Sequence, residues 1–386
     1  LVDNSLELLN FIISLAEQCF LNEFIFFQSD QEIEMVSSLV KEIEKDKKVN
    51  ELKVAILACF TPLSNSKNIL DKLIYYQSKN LLFNDLVDMQ VREPNKEKEL
   101  NQKIVSIGDI SNVISKKVKN QYELNPYPRW RFISEGVKSN FINILNSNIK
   151  PNKITSESNF LNPNVLIAGC GTGQQLENAI TYENANILAV DLSLSSLAYA
   201  KRKMEEINLN KIEFLHGDIL NLENINKKFD VIECVGVLHH MENPEDGLKV
   251  LLKILEPHGF LKLGLYSEIS RKHIIETRDI IEKENFSSDV KGIRNFREFI
   301  KNNKDNKSLQ KLTYNYDFYS TSSIRDLIFH VQERRFTLDM ISKLLNSLNL
   351  EFLGFTDDEV KKKYSNFYPE DTSKTNIENW NILESE

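Results

Sequence analysis

Val165-Leu166-Ile167-Ala168-Gly169-Cys170-Gly171-Thr172-Gly173 is the stretch on which the fold turns. Its first four residues are apolar and partly β-branched, as suits a strand buried on both faces. The G-x-G-x-G that follows forces a sharp turn. Glycine also lets the backbone touch a ligand with no side chain intervening. A helix is expected to start near Gln174. Taken alone, the signal is weak, since a glycine-rich turn is often only a tight turn.

Working outward, short apolar runs recur at 187–190, 212–215, 231–235 and 260–265, with helical patterns at 194–207 and 244–255 between several of them. That alternation predicts an α/β fold, a mostly parallel sheet with helices on both faces. Asp191 closes the second run, about 20 residues past the loop, where dinucleotide folds place an acid on the ribose. Asp218, in His216-Gly217-Asp218-Ile219, closes the third, in reach of an adenine edge. Each acid is also read as a turn or helix cap. Together, at successive strand ends, they mark the crevice where open α/β sheets bind ligands.

Dinucleotide binders carry G-x-G-x-x-G, and here the third glycine comes one residue early. A ligand without pyrophosphate fits that spacing. The set resembles the Rossmann-like, class I S-adenosylmethionine-dependent methyltransferases. The resemblance runs through 165–173, Asp191, Asp218, the block Phe229-Asp230-Val231-Ile232-Glu233-Cys234-Val235-Gly236-Val237-Leu238-His239-His240, and the lead-in Leu255-Glu256-Pro257-His258-Gly259. It covers roughly 120–266 well and the last helix loosely. It implies S-adenosyl-L-methionine as cofactor, S-adenosyl-L-homocysteine as product, and cofactor contacts at Gly169, Cys170, Gly171, Gly173, Asp191, Leu192, Asp218, Ile219 and Val235. It also implies the strand order 3-2-1-4-5, with a reversed strand near the far edge.

The acceptor is less legible. In the family the fourth strand's end lies beside the methyl, and methylases of base amines carry Asn/Asp-Pro-Pro-aromatic there. This chain has Cys234-Val235-Gly236-Val237, and its Asn125-Pro126-Tyr127-Pro128 precedes the first strand. A Glu-x-x-Glu-His metal arrangement is also missing, so no metal is expected. His239 and His240 are the candidate bases, since imidazole titrates near neutrality. The reading preferred over it has one capping the strand and the other packing beneath the next helix, with transfer driven by positioning. Tyr122, Tyr127, Arg129 and Trp130 suit a lid. The stretch 321–335, turn-rich in appearance, offers Arg325, His330 and Arg334 to an acceptor carboxylate or phosphate. Tyr127 and Arg129 are expected to face 325–334 across the pocket mouth. Structural ion pairs and caps explain these groups equally well. The basic run 291–311 reads as the solvated side of an amphipathic helix in preference to an RNA-binding face.

Around this core, 1–120 reads as a helical N-terminal domain, with a capping box at Ser29 and Glu32. A lid or linker follows at 121–160, then the Rossmann-like domain at 161–355 with a cap inserted at 267–336, and a polar tail at 356–386. Residues 351–355 suggest a last strand. No 34-residue repeat is found. With 41% hydrophobic residues the 386-residue chain can bury a sizeable core. Its net charge of -8 argues against broad affinity for nucleic acid or anionic membrane. No run approaches the ~20 apolar residues of a membrane span, and the first apolar segment does not read as a signal peptide. The 4 cysteines lack metal spacing, so reduced thiols and a cytoplasmic location are expected. The sequence thus points to a methyltransferase with a small or medium-sized acceptor. A protein or RNA methyltransferase using the helical domain for recognition stands as the alternative. A non-catalytic cofactor-binding module and, least favoured, a nicotinamide oxidoreductase are the others.

Overall fold

Val165 sits at the middle of the sheet, paired in parallel with Ile187 on one side and Val231 on the other. The computed structural model describes residues 4–133, 136–155 and 160–386. Among them, β1 (Val105–Ser106), β2 (Asn164–Ala168), β3 (Asn186–Asp191), β4 (Glu213–His216), β5 (Phe229–Val235) and β6 (Leu255–Gly264) form a 6-stranded parallel sheet, in the order β1-β4-β3-β2-β5-β6. The last five reproduce the expected doubly wound order. The switch in winding direction falls between β2 and β5, where such sheets open a ligand crevice.

The alternation along the strands explains the layering. Leu166, Ala168, Leu188, Val190, Ile232 and Cys234 share one core with Leu248, Leu251 and Ile254 of the helix Pro244–Ile254. Each such buried Leu, Ile or Val side chain contributes about 1.5–3 kcal/mol. On the other face Glu233 of β5 pairs with Lys262 of β6 at 3.2 Å and accepts from Tyr182, which packs edge-on against Phe141 of the helix Phe141–Asn148.

Two expectations about the sheet are corrected. No described strand runs antiparallel, and 351–355 is irregular. Phe352 and Phe355 instead pack into a side cluster, Phe355 lying 4.8 Å from Trp380. The added strand is β1, at the opposite edge, beside β4.

The chain divides into two compact units, Leu1–Lys103 with Tyr127–Trp130 and His273–His330, and Ile104–Pro126 with Arg131–Lys272 and Val331–Glu386. This differs from the expected boundaries. The helical N-terminal unit ends at Lys103, and most of the expected cap belongs with it rather than with the sheet. The physical reason is a shared core and a set of half-buried guanidinium bonds. Ile25 packs among Ile274, Ile293, Phe296 and Ile324. Arg294 donates to the Phe24 carbonyl at 3.0 Å and Arg297 to that of Ile25 at 3.0 Å. The helix Val290–Asn302 is therefore amphipathic as expected, but two of its basic residues are spent on backbone carbonyls. The capping box at Ser29 and Glu32 is present. The stretch expected to be turn-rich contains a regular helix, Thr321–Phe329. The expected polar tail folds as well: Tyr364 and Trp380, from the helices Asp358–Phe367 and Ile377–Ser385, stack at 4.0 Å. Among the described residues no helix is long and apolar enough to cross a membrane.

Candidate active site at the carboxyl edge of the sheet

The glycine loop leaves β2 with Gly169, Gly171 and Gly173 all at positive φ. At Gly169 (φ +83°) a Cβ would lie 2.2 Å from Val237 Cγ2, so the position excludes every other residue. The N–H groups of Gly169 and Cys170 donate to the Val190 carbonyl at 2.8 and 3.0 Å, which pins the start of the loop to β3.

Asp191, the last residue of β3, completes that attachment. Its Oδ2 accepts the Gly171 N–H at 2.8 Å and its Oδ1 the Ser193 N–H at 2.9 Å. Burial pushes the Asp191 carboxyl up to about 6, and the Glu123 charge adds to this; the backbone bonds from Ser193, Gly171 and Leu192 work against it. Ser193 in turn caps the helix Leu194–Glu206, its Oγ accepting from the Ser196 N–H at 3.0 Å. The same hydroxyl donates to Glu123 at 3.0 Å.

The neighbouring strand ends are held as firmly. The Leu192 carbonyl accepts from His216 Nε2 at 3.0 Å, while His216 Nδ1 accepts from Ser106 Oγ at 2.8 Å. Burial, and then the Lys119 charge, lower the pKa of His216, while the Leu192 carbonyl bond works against them. Asp218 is buried and caps the short helical turn Ile219–Asn224, accepting the Leu220 N–H at 3.0 Å; Ile219 is buried beside it. Asp218 is thus a helix cap at the expected strand end. Gln175 reaches from the glycine loop to the Val235 carbonyl at 3.3 Å, joining β2 and β5. All nine expected cofactor positions lie at the ends of β3 and β5 or in the segments that follow β2, β3 and β4.

The two histidines behave differently from free bases. His239 is fully buried, stacked on Tyr266 at 3.7 Å, and neither ring nitrogen has a hydrogen-bond partner among the described residues. Burial, His240 and Arg271 hold its pKa down at about 2, so the ring is neutral and a very weak base. His240 Nδ1 donates to the Gln332 carbonyl at 2.7 Å. Tyr266 is sandwiched, with the Arg271 guanidinium 3.9 Å from its ring centre. Arg271 is anchored by an ion pair to the buried Glu333. The packed-imidazole reading of His239 therefore has the geometry on its side.

The acceptor candidates separate. Arg334 lies in the same unit as the sheet; its N–H donates to the His239 carbonyl at 2.7 Å and its Nε to that of Glu242 at 3.1 Å. Tyr127, Arg129, Arg325 and His330 lie in the other unit. There Arg129 pairs with Glu23 at 2.9 Å, and Tyr127 approaches Asp317 at 3.4 Å. Glu23 also accepts the Ser322 N–H, so Arg129 and the start of the helix Thr321–Phe329 meet through one carboxylate. Arg325 is buried and donates to the Ser288 carbonyl at 2.9 Å. The His330 side chain is buried and its carbonyl accepts from Arg278 at 2.6 Å. Structural contacts thus engage each of these groups.

Several site residues escaped the sequence reading: Glu123, Gln175, Ser193, His216, Tyr266 and Arg271. Ser193 carried a signal, a serine just before a helical pattern. Glu123 carried none, because its partners lie far along the chain.

Residues 165–259, which span the loop, both acids and β5, match the family model of a methyltransferase domain. The chain carries a class I S-adenosylmethionine-dependent methyltransferase domain. Outside that model, an uncharacterized protein of Synechococcus sp. is 29% identical over 50% of this chain and 49% of its own length. The mitochondrial ubiquinone biosynthesis O-methyltransferase of Schizosaccharomyces pombe is 27% identical over 47% of this chain and 63% of its own. The chain thus matches less than two thirds of the length of each of these relatives. A solved structure, PKMT2 from Rickettsia typhi in complex with AdoHcy, is similar in fold, with a TM-score of 0.51. It is 20% identical, covering 67% of this chain and 53% of that one.

Proposed function

We propose that the chain is an active methyltransferase that moves the methyl of S-adenosylmethionine to a small or medium-sized acceptor. The observation that carries this is the bond between Gly171 and Asp191 at the carboxyl edge, which brings the glycine loop and the acid to one point. The residues present suit the cofactor. Gly169, Gly171 and Gly173 supply the positive φ angles that the loop's turn requires, and the Asp191 carboxylate keeps acceptor capacity beyond its backbone bonds for a ribose hydroxyl. Asp218 and Ile219 would border the adenine, and Val235 the methyl. When bound, the cofactor supplies an electrophilic methyl on a sulfonium.

The chain's own contribution is then positioning. Gln175 fixes the Val235 carbonyl against the glycine loop, and the packed His239 closes the strand end without taking a proton. A small acceptor methylated at oxygen is favoured by the name of the fission-yeast relative, a ubiquinone biosynthesis O-methyltransferase. Arg334, held at the same edge, is our candidate for the acceptor side. The four free thiols support a cytoplasmic location.

The test is transfer of label from methyl-tritiated S-adenosylmethionine to hydroxylated aromatic compounds, with unfolded protein and total RNA in parallel. Label in an aromatic hydroxyl is the expected result. Label in protein or RNA alone would overturn the small-acceptor reading. S-adenosylhomocysteine binding with no label in any acceptor would favour a non-catalytic module.

A further inference from the structure

Two carboxylates bracket Ser193, and only one of them belongs to the strand-end pattern. Asp191 Oδ1 takes the Ser193 N–H at 2.9 Å; Glu123 Oε2 takes the Ser193 hydroxyl at 3.0 Å and the Ser195 N–H at 3.3 Å. Glu123 is the penultimate residue of the helix Val113–Leu124, and it meets the N-terminus of the helix Leu194–Glu206. There a carboxylate is stabilised by the helix dipole and satisfies an otherwise unpaired backbone donor. Continuing the other way, Asp191 Oδ2 holds Gly171. The line Gly171–Asp191–Ser193–Glu123 therefore ties the cofactor loop to a helix outside the matched domain.

Resting on the function proposed above, we propose that Glu123 is a positioning residue for the cofactor: it fixes the Ser193 turn that aims Asp191, and its charge strengthens the proton linkage of adenosyl-ribose binding. A ribose diol donates to Asp191, so binding requires the carboxylate. The charge of Glu123 opposes that form, and so does burial, the larger effect. The other titratable groups around the acid are few. Cys170, in the glycine loop, is itself pushed up by burial and by Asp191. The pKa of His216, on β4, is lowered by burial and by Lys119 of the Glu123 helix, while the Leu192 carbonyl and Glu123 itself work the other way. Glu123 is thus the group whose removal changes the proton affinity of Asp191 most directly.

The experiment is calorimetric titration of the full chain with S-adenosylhomocysteine between pH 5 and 8, in two buffers of different ionisation enthalpy. Wild type should bind more weakly as pH falls through about 6, with proton release on binding there. Glu123→Gln keeps an acceptor oxygen but loses the charge, so its midpoint should move to a lower pH than that of wild type. A Glu123→Gln midpoint equal to wild type would overturn the proposal. A uniform loss of affinity at every pH, with a lower melting temperature, would also overturn it, since that is a merely structural role. Wild-type affinity independent of pH and buffer would do the same without any variant. Absence of S-adenosylhomocysteine binding at pH 8 would remove the proposed function as well, which separates the two failures.

Discussion

Asp191 accepts the Gly171 N–H at 2.8 Å, so one carboxylate both closes the glycine loop and stands at its mouth. Removing it should cost twice. Asp191→Ala leaves the Gly171 and Ser193 donors without their acceptor, at about 1–3 kcal/mol of stability if they stay buried. It also removes charge-assisted bonds to a ribose, each about 1.5–3 kcal/mol, so S-adenosylhomocysteine affinity should fall tenfold or more. Calorimetry and thermal melting check the pair. Unchanged affinity would make Asp191 a loop anchor and nothing else.

Gly169→Ala tests the close approach of Val237. The added methyl collides at 2.2 Å and the residue sits at φ +83°, a region L-residues rarely adopt. We expect a loss of more than about 1 kcal/mol in denaturant unfolding together with weakened cofactor binding. Wild-type stability and affinity would show that the loop has room to shift.

Protonating His239 should destabilise the fold, because its folded pKa, about 2, lies far below that of an unfolded histidine. The unfolded chain therefore binds the extra proton at acid pH. Stability from this group is complete above roughly pH 6.5 and declines below it by at most about 1.4 kcal/mol per unit. Asp191, whose value is raised, acts in the opposite direction, so the comparison is made by variant. His239→Phe keeps an aromatic ring against Tyr266 and should show a shallower loss of stability between pH 7 and 5. It should also leave the pH profile of methyl transfer near neutrality in place. Loss of transfer with an intact fold would restore His239 as a base.

The Arg271–Glu333 pair beneath Tyr266 has side chains only 10% and 1% exposed. Breaking such a pair strands a buried charge, so Glu333→Ala should destabilise the fold by about 3–5 kcal/mol. Replacing both partners with apolar residues should recover much of that loss. A small effect in the single variant, read by denaturant midpoint, would mean that water reaches the guanidinium.

What was legible in the sequence is what local pattern determines. β2 and its loop could be read because a doubly buried strand needs an unbroken apolar run, and because the turn needs glycine at three set positions. Asp191 and Asp218 followed from their places at strand ends. β1 was missed because two residues carry no periodicity, and their pairing with Leu215 and His216 depends on distant chain. The segment 356–386 looked like a tail because its apolar residues are sparse, yet Tyr364, Trp380 and Leu383 find Leu338 and bury together. Glu123 illustrates the same limit. A half-buried glutamate near a helix end is ordinary in sequence, and its meeting with Ser193 exists only after the chain has folded.

The most direct measurement is titration of the intact protein, at pH 8, with S-adenosylhomocysteine and separately with NAD. The geometry of Gly171 and Asp191 predicts saturable binding of S-adenosylhomocysteine and none of NAD. Tight binding of NAD, with no response to S-adenosylhomocysteine, would contradict the account.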